Sequence, residues 1–216
     1  MILKDKIIAL KGDLLEFASL VEKMIEGSIT GLLKKDTRLL KKVIEQHEPK
    51  ANKFEIVIGE RCVELIAQFQ PKVKELRTIL MVMQMNNDFE RMGDHAVNIA
   101  ESSLFLIERP AVKPLIDIPR MAELSINMLK DSLRSFTDED SKLAMSVCKR
   151  DSEVDALGEQ VLRELITFMS ADTSTIERSL QLLRIARNLE RIGDLSTNIC
   201  EDTIFIAEGK VIKHNI

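Results

Sequence analysis

Apolar residues recur every three to four positions along almost the whole chain, which is the period of an amphipathic α-helix. Polar or helix-breaking residues interrupt this pattern in a few places, where Asp36 can cap a helix and Ser174 with Glu177 forms a capping box. Pro71 suits a first helical turn. The pattern predicts six long antiparallel helices over 3–35, 37–69, 72–108, 118–136, 139–170 and 174–209, arranged as two tandem up-down-up bundles of three.

Proline positions predict the main irregularities of this all-α fold. Three of the five prolines fall between Arg109 and Pro119, so we expect residues 1–110 to form the first bundle, 111–118 a linker and 119–216 the second bundle. Pro49 falls inside the second helix, where it removes an amide donor and crowds the preceding turn. We therefore expect a kink, or a new helix start, near His47 and Glu48.

A 16-residue segment occurs twice, as NNDFERMGDHAVNIAE at 86–101 and as ARNLERIGDLSTNICE at 186–201. Seven positions are identical, all offset by 100 residues, and most of them are charged or polar. The two copies therefore preserve their acids better than their apolar residues. On a helix, Glu190, Asp194, Asn198 and Glu201 fall within an arc of about 80°. This acidic stripe lies opposite the apolar stripe, which predicts that it faces outward from the bundle.

Composition supports a helical protein and limits the classes of partner. The chain is 45% hydrophobic and 31% charged, and its only aromatic residues are 8 Phe, so we expect essentially no β-structure. A net charge of −4 argues against nucleic acid as the main partner. The N-terminus lacks the apolar stretch of a signal peptide, and the longest apolar run, Ile79–Met83, is too short to cross a bilayer. We expect a cytoplasmic protein without direct membrane insertion.

The three cysteines, Cys62, Cys148 and Cys200, are odd in number and far apart in sequence. This spacing suits a reducing compartment and contains no thiol metal motif. Cys200 is expected to pack as a small hydrophobic residue.

The acidic stripes present several hard oxygen donors, the ligands that divalent cations prefer. The second helix of each half offers further acids, Asp151 and Asp155 in one copy and Glu48 in the other. An adjacent helix can therefore complete the coordination shell of a cation. The alternative is a solvated charged face, and the pattern alone leaves both interpretations open.

Three other pairs accompany the acids of the stripes. Gly93 and Gly193 are expected to let a neighbouring helix, or the acids and a metal, approach closely. Arg91 and Arg191 are expected to pair with acids on a neighbouring helix, and His47 and His95 are interpreted as surface residues.

Catalysis finds little support in the sequence. Glu-x-x-His pairs of a di-iron bundle, a phosphate-binding loop and the common hydrolase motifs are all missing from the 216 residues. A di-metal hydrolase is the weakest hypothesis because no general base is evident. We expect a protein that is not an enzyme.

The same segments resemble the PhoU family of phosphate-signalling regulators. LERIGDLSTNICED and FERMGDHAVNIAE are similar to the family's third-helix signatures, VIEQHEPKAN and VCKRDSEVDAL to its second-helix signatures, and FQPKVKELR to the turn between them. The resemblance covers essentially the whole chain. It implies two three-helix repeats in a cytoplasmic, often dimeric, negative regulator of the phosphate-starvation response and of phosphate uptake. The implied partners are a Pst-type phosphate ABC transporter, including its ATPase subunit, and a PhoR-type sensor histidine kinase.

The resemblance also implies iron or other divalent cations, bound as multinuclear clusters on the bundle surface. A metal-independent scaffold, whose acidic faces dock basic partner surfaces, is the alternative. Pro49 and Asn52 depart from the family pattern in the first copy. The residues that the stripes and the resemblance together assign to metal are Glu90, Asp94, Asn98, Glu101, Glu190, Asp194, Asn198, Glu201, Asp202, Asp151, Asp155 and Glu48.

Overall fold

The computed structural model describes residues 2–212, and every regular element within that range is a helix. The order is α1 (Ile2–Lys34), α2 (Thr37–Lys42), a π-helical turn (Val43–His47), α3 (Glu48–Phe69), α4 (Lys74–Ile107), α5 (Asp117–Asp138), α6 (Ser141–Ala171), a 3₁₀ turn (Thr173–Thr175) and α7 (Ile176–Glu208). Because α2, the π turn and α3 run on as one rod, the chain forms the six predicted long helices. The all-α prediction is confirmed.

Matching turns open the second rod of each bundle. Lys35 and Glu139 adopt the left-handed conformation, with φ of 52° and 50°. The next residue in each case, Asp36 or Asp140, caps the following helix. Asp36 Oδ1 accepts from the amides of residues 38 and 39 at 3.0 and 3.1 Å, and Asp140 Oδ1 accepts from those of residues 142 and 143 at 2.9 and 3.1 Å. The side chain thus satisfies amides that have no partner within the helix.

The π turn accounts for the expected irregularity at Pro49. It widens the rod over Val43–His47, and Pro49 then occupies the first turn of α3, where its missing amide costs little. It also accommodates one extra residue. Asp36 and Asp140, the equivalent caps, are 104 residues apart in sequence. Ala51 and Val154, which contact the equivalent glycines of α4 and α7, are only 103 apart. The first repeat therefore has one more residue than the second between these two points. The predicted restart near His47 and Glu48 is confirmed.

Each bundle buries its apolar stripes between three rods. In the first, the Phe17 ring stacks on Phe54 with centroids 5.5 Å apart and meets Phe89 edge-on at 6.0 Å. Such ring pairs add about 0.5–1.5 kcal/mol to the burial of their area. At the corresponding positions the second bundle has Met121, Leu157 and Leu189, which are aliphatic residues and a methionine.

The two bundles join along α4 and α7, which run antiparallel. Gln84 contacts Asp202 near one end of this seam, and Asn98 contacts Arg184 near the other. On the core side, α1 and α5 also meet, through Lys130 with Glu22 and Glu26 at 3.1 and 3.0 Å. Besides α1 and α5, the second rods also pack on this pair, α3 on α4 and α6 on α7. The predicted outward direction of the stripes therefore holds only in part, because Glu90 and Glu190 are half-buried and Glu190 lies against α6.

The linker is held by a buried cation. Lys113, whose side chain is 3% exposed, donates to Asp117 Oδ2 at 2.9 Å and also to Glu164 of α6. This ties the chain between α4 and α5 to the second bundle. Within residues 2–212, no helix is long and apolar enough to cross a membrane.

Candidate metal centre

Carboxylates from α6 and α7 meet in the second repeat, and two glycines allow this approach. A Cβ built on Gly193 would lie 3.3 Å from Asp151 Oδ1, and one built on Gly158 would lie 1.9 Å from Glu190 Oε1. Glu190 therefore lies directly against the backbone of α6, in space that only a glycine leaves open. The close approach predicted at Gly193 is confirmed, whereas Gly158 was not recognised in the sequence.

Burial and neighbouring charge raise the pKa of three acids at this meeting point, Asp151, Asp155 and Glu190. Burial, followed by the charges of Asp194 and Asp155, raises the pKa of Asp151 to about 6. Burial and the charge of Asp194 also raise the pKa of Asp155. For Glu190, burial comes first, and Asp155 and Asp194 add to it. Among residues 2–212, these four side chains form one ion pair, between Asp194 and Arg191 at 3.2 Å. We call Asp151, Asp155, Glu190 and Asp194 the second-repeat cluster.

A cleft of about 490 Å³ opens beside the second-repeat cluster. Asp151 and Asp155 form one wall, and Thr197 and Glu201 of α7 line the other. Glu201 therefore joins the acids that the sequence assigned, and Asn198, half-buried, follows Thr197 on α7. Lys149, Cys148 and Ser152 of α6 also line it, so the cleft combines three carboxylates with one lysine. Its carboxylate and hydroxyl oxygens are the donors that a hard cation prefers.

Asp202 does not share this cleft. It is 2% exposed and faces α4, where its Oδ1 accepts from Gln84 Nε2 at 3.1 Å. Its place in the seam between the repeats is at odds with the metal role that the resemblance implied. One helical position separates it from Glu201, which is enough to turn it by about 100°.

The first repeat assembles a smaller group. Burial raises the pKa of Glu90, and the charges of Asp94 and Glu55 add to the effect. Glu55 lies on α3 at the position that Gly158 occupies on α6, so no repeated acid marks this position in the sequence. Asp94 is exposed, whereas Glu90 is half-buried. We call Glu55, Glu90 and Asp94 the first-repeat group.

The remaining first-repeat residues have other surroundings. Arg184 of α7 donates to Asn98 Oδ1 and lies 3.3 Å from Glu101 Oε2. Both predicted metal ligands therefore contact the guanidinium of Arg184 across the seam. Glu48 is the half-buried first residue of α3. Its neighbour His47 has a lowered pKa, caused first by burial and then by Lys42, Lys50 and Lys23. This part of the first repeat is cationic where the second repeat carries acids.

Three predictions about basic residues are wrong. Arg191 pairs with Asp194 and Arg91 with Asp88 at 3.6 Å, both on their own helices instead of a neighbouring one. His95 is half-buried, and its Nδ1 lies 2.8 Å from Asn188 Oδ1 across the seam. The surface interpretation of His95 overlooked the packing of α4 on α7, which the pattern of one repeat cannot reveal. The surface interpretation of His47 holds in part, because this residue is half-buried.

The donor set suits a hard divalent cation, because the second-repeat cluster offers carboxylate oxygens with little compensating charge. Within residues 2–212, no three His, Cys, Asp or Glu side chains already converge on one point as ligands. Binding would therefore require rotation of the carboxylates toward a shared ion. Asp151, Asp155, Glu190 and Asp194 would hold it, and its positive charge would offset the mutual repulsion of these carboxylates.

Comparison with known proteins agrees with the repeat architecture. The family model described as the PhoU domain matches residues 14–103 and again 118–203. A phosphate-specific transport system accessory protein PhoU homolog from Aquifex aeolicus is 37% identical over 204 residues, covering 94% of this chain and 92% of that protein.

Two solved structures have the same fold. The crystal structure of PhoU from Pseudomonas aeruginosa superposes with a TM-score of 0.92 at 31% identity, covering 96% of this chain and 99% of the other. The phosphate transport system regulatory protein PhoU from Streptococcus pneumoniae superposes with a TM-score of 0.89 at 27% identity, covering 97% and 98%. With two matched domains and near-complete coverage, the chain belongs to the PhoU family of phosphate-transport accessory proteins.

Proposed function

We propose that this protein is a metal-binding cytoplasmic adaptor that restrains phosphate uptake and represses the phosphate-starvation response when phosphate is plentiful. It would link a Pst-type phosphate transporter, through its ATPase subunit, to a PhoR-type sensor histidine kinase. Family membership supports the role in phosphate transport. The observation that carries the metal proposal is the second-repeat cluster, four carboxylates from two helices whose mutual repulsion a cation would relieve.

The two repeats differ in what they offer a cation. The second-repeat cluster has four acids and an adjoining acidic cleft. The first-repeat group has three acids, with a lysine-surrounded His47 near the start of α3. We therefore expect a cation to fill the second-repeat cluster at a lower metal concentration than the first-repeat group.

The test compares the wild type with a variant in which Asp151, Asp155, Glu190 and Asp194 are all replaced by alanine. Elemental analysis after purification without chelator, followed by Mn²⁺ titration, should find metal in the wild type and a strong loss in the variant. Circular dichroism checks that both proteins are helical. A matched variant with alanine at exposed acids away from both repeats' sites, Glu16 and Glu60, should retain the metal.

Function is measured separately from metal content. In a strain lacking the protein, the wild type should restore repression of a phosphate-starvation reporter and copurify with the transporter ATPase. Equal metal content in the wild type and the four-alanine variant would overturn the metal assignment. If a metal-free wild type still bound its partners in a salt-sensitive, chelator-resistant complex, the acidic faces would be docking surfaces for basic partners instead.

A further inference from the structure

Two cysteines that are 52 residues apart in sequence meet between α6 and α7. Glu190 of α7 lies against Gly158 of α6 and Asp151 lies against Gly193, so the two helices run antiparallel and Cys148 and Cys200 lie at the same level, ten residues along each helix from the Gly158–Glu190 contact. The lining of the acidic cleft places them together independently, because Cys148 lines it beside Thr197 and Glu201, which bracket Cys200 on α7. The sequence suggested only that Cys200 packs as a small hydrophobic residue, and it gave no sign of this pairing.

Access to the two sulfurs is unequal. Cys148 is 9% exposed and borders the open cleft, whereas Cys200 is fully buried behind it. A small oxidant entering from solvent therefore reaches Cys148 first, with Cys200 at the same level on the facing helix. Cys62 provides an internal comparison, since it is fully buried on α3 and burial raises the pKa of its thiol to about 11.

We propose that Cys148 and Cys200 form a reversible disulfide when the protein meets a hydroperoxide, joining α6 to α7 at the edge of the acidic cleft. Such a bond suits a reducing compartment as a transient modification, because cellular thiols return it to the dithiol.

The chemistry balances with the hydroperoxide as the only oxidant. The Cys148 sulfur attacks one peroxide oxygen, the O–O bond breaks, and a Cys148 sulfenic acid forms with release of water or an alcohol. The Cys200 sulfur then attacks the sulfenic sulfur, the S–O bond breaks, and a second water leaves. Both sulfurs are oxidised by one electron each, and the peroxide is reduced by two.

The consequence for the fold is a covalent link between the two walls of the cleft. Cys148 precedes Asp151 by about one helical turn, and Cys200 adjoins Glu201. The bond would fix the separation of α6 and α7 at the level where their acids face each other. This inference depends on the two sulfurs only, so it stands whether or not a metal binds there.

The experiment is peptide mapping of the full-length protein. Trypsin places the three cysteines in separate peptides, 62–72, 143–149 and 192–210. The reduced protein is treated with hydrogen peroxide, alkylated and digested without reductant. Alkylatable thiols should fall from three to one, and peptides 143–149 and 192–210 should appear as one cross-linked species that dithiothreitol separates.

Two single variants sharpen the test. Cys148→Ala should give no cross-linked species, whereas Cys62→Ala should give the same one as the wild type. Circular dichroism confirms that each variant is folded before oxidation. The proposal fails if the wild type retains three alkylatable thiols, if the cross-link includes peptide 62–72, or if Cys148 becomes a sulfinic acid while Cys200 remains free.

Discussion

Replacement of Gly158 by alanine should stabilise α6 and at the same time displace the Glu190 carboxylate. The new Cβ would lie 1.9 Å from Glu190 Oε1 and 2.6 Å from its Cδ, so the carboxylate must leave its place. Because burial and neighbouring acids already raise the pKa of Glu190, moving this carboxylate into solvent costs little. Alanine in a helix interior is favoured over glycine by about 1 kcal/mol. We expect Gly158→Ala to raise the melting temperature of the metal-free protein by about 2–4 °C.

The same substitution should weaken metal binding, since Glu190 no longer points along α6 toward Asp155. We expect a loss of about tenfold or more in Mn²⁺ affinity, measured by titration calorimetry. Gly12→Ala on α1 is the matched control, because a Cβ there meets no atom within 4 Å. It should raise the melting temperature similarly and leave Mn²⁺ affinity unchanged. Stabilisation by Gly158→Ala with wild-type affinity would refute the ligand role of Glu190, and clear destabilisation would refute the idea that its carboxylate is free to move.

Three further results are expected. Because the folded pKa of Asp151 is about 6 and its ordinary value is 3.8, the native state holds the proton more tightly, and stability falls as pH rises from about 4 to 7. With chelator present, Asp151→Asn should then raise the free energy of unfolding measured in urea by about 1 kcal/mol at pH 7.5, a figure discounted for solvent screening. Near pH 4 the gain should be almost nothing. An equal gain at both pH values would contradict this. Gly31→Ala should lower the free energy of unfolding measured in urea by about 1–3 kcal/mol, because the added Cβ would lie 2.5 Å from the buried side chain of Leu40. Glu190→Gln should reduce bound Mn²⁺ more than Glu90→Gln, and equal losses would show that the two repeats are equivalent.

The helices were predictable because their signals are local. The 3.6-residue period and an aspartate cap such as Asp36 act within a few residues of the chain, and so does the disruption at Pro49. The repeated Glu-x-x-x-Asp pattern identified the acids of α4 and α7 for the same reason. Acids on the second helix of the second half brought Asp151 and Asp155 into the same predicted site.

Contacts between helices were not predictable from one repeat. Gly158 and Glu55 occupy equivalent positions, yet one makes room for a carboxylate and the other supplies one. Asp202 and His95 belong to the α4–α7 seam, whose existence depends on how the bundles dock. The pairing of Cys148 with Cys200 likewise depends on the rotation of α6 against α7.

If the acidic sites dock a partner, the antiparallel seam between α4 and α7 would provide two contact points for it. Because the seam joins Gln84 to Asp202 and Asn98 to Arg184, the acidic stripe of α4 lies at the same level along the seam as the acidic stripe of α7. A partner that presents two basic elements with matching spacing could bind both sites at once, and the second contact would form at the high effective concentration that the first creates. Two individually weak contacts would then produce a strong complex. A single repeat on its own would lose most of that affinity, which gives a physical reason for keeping both copies in one chain.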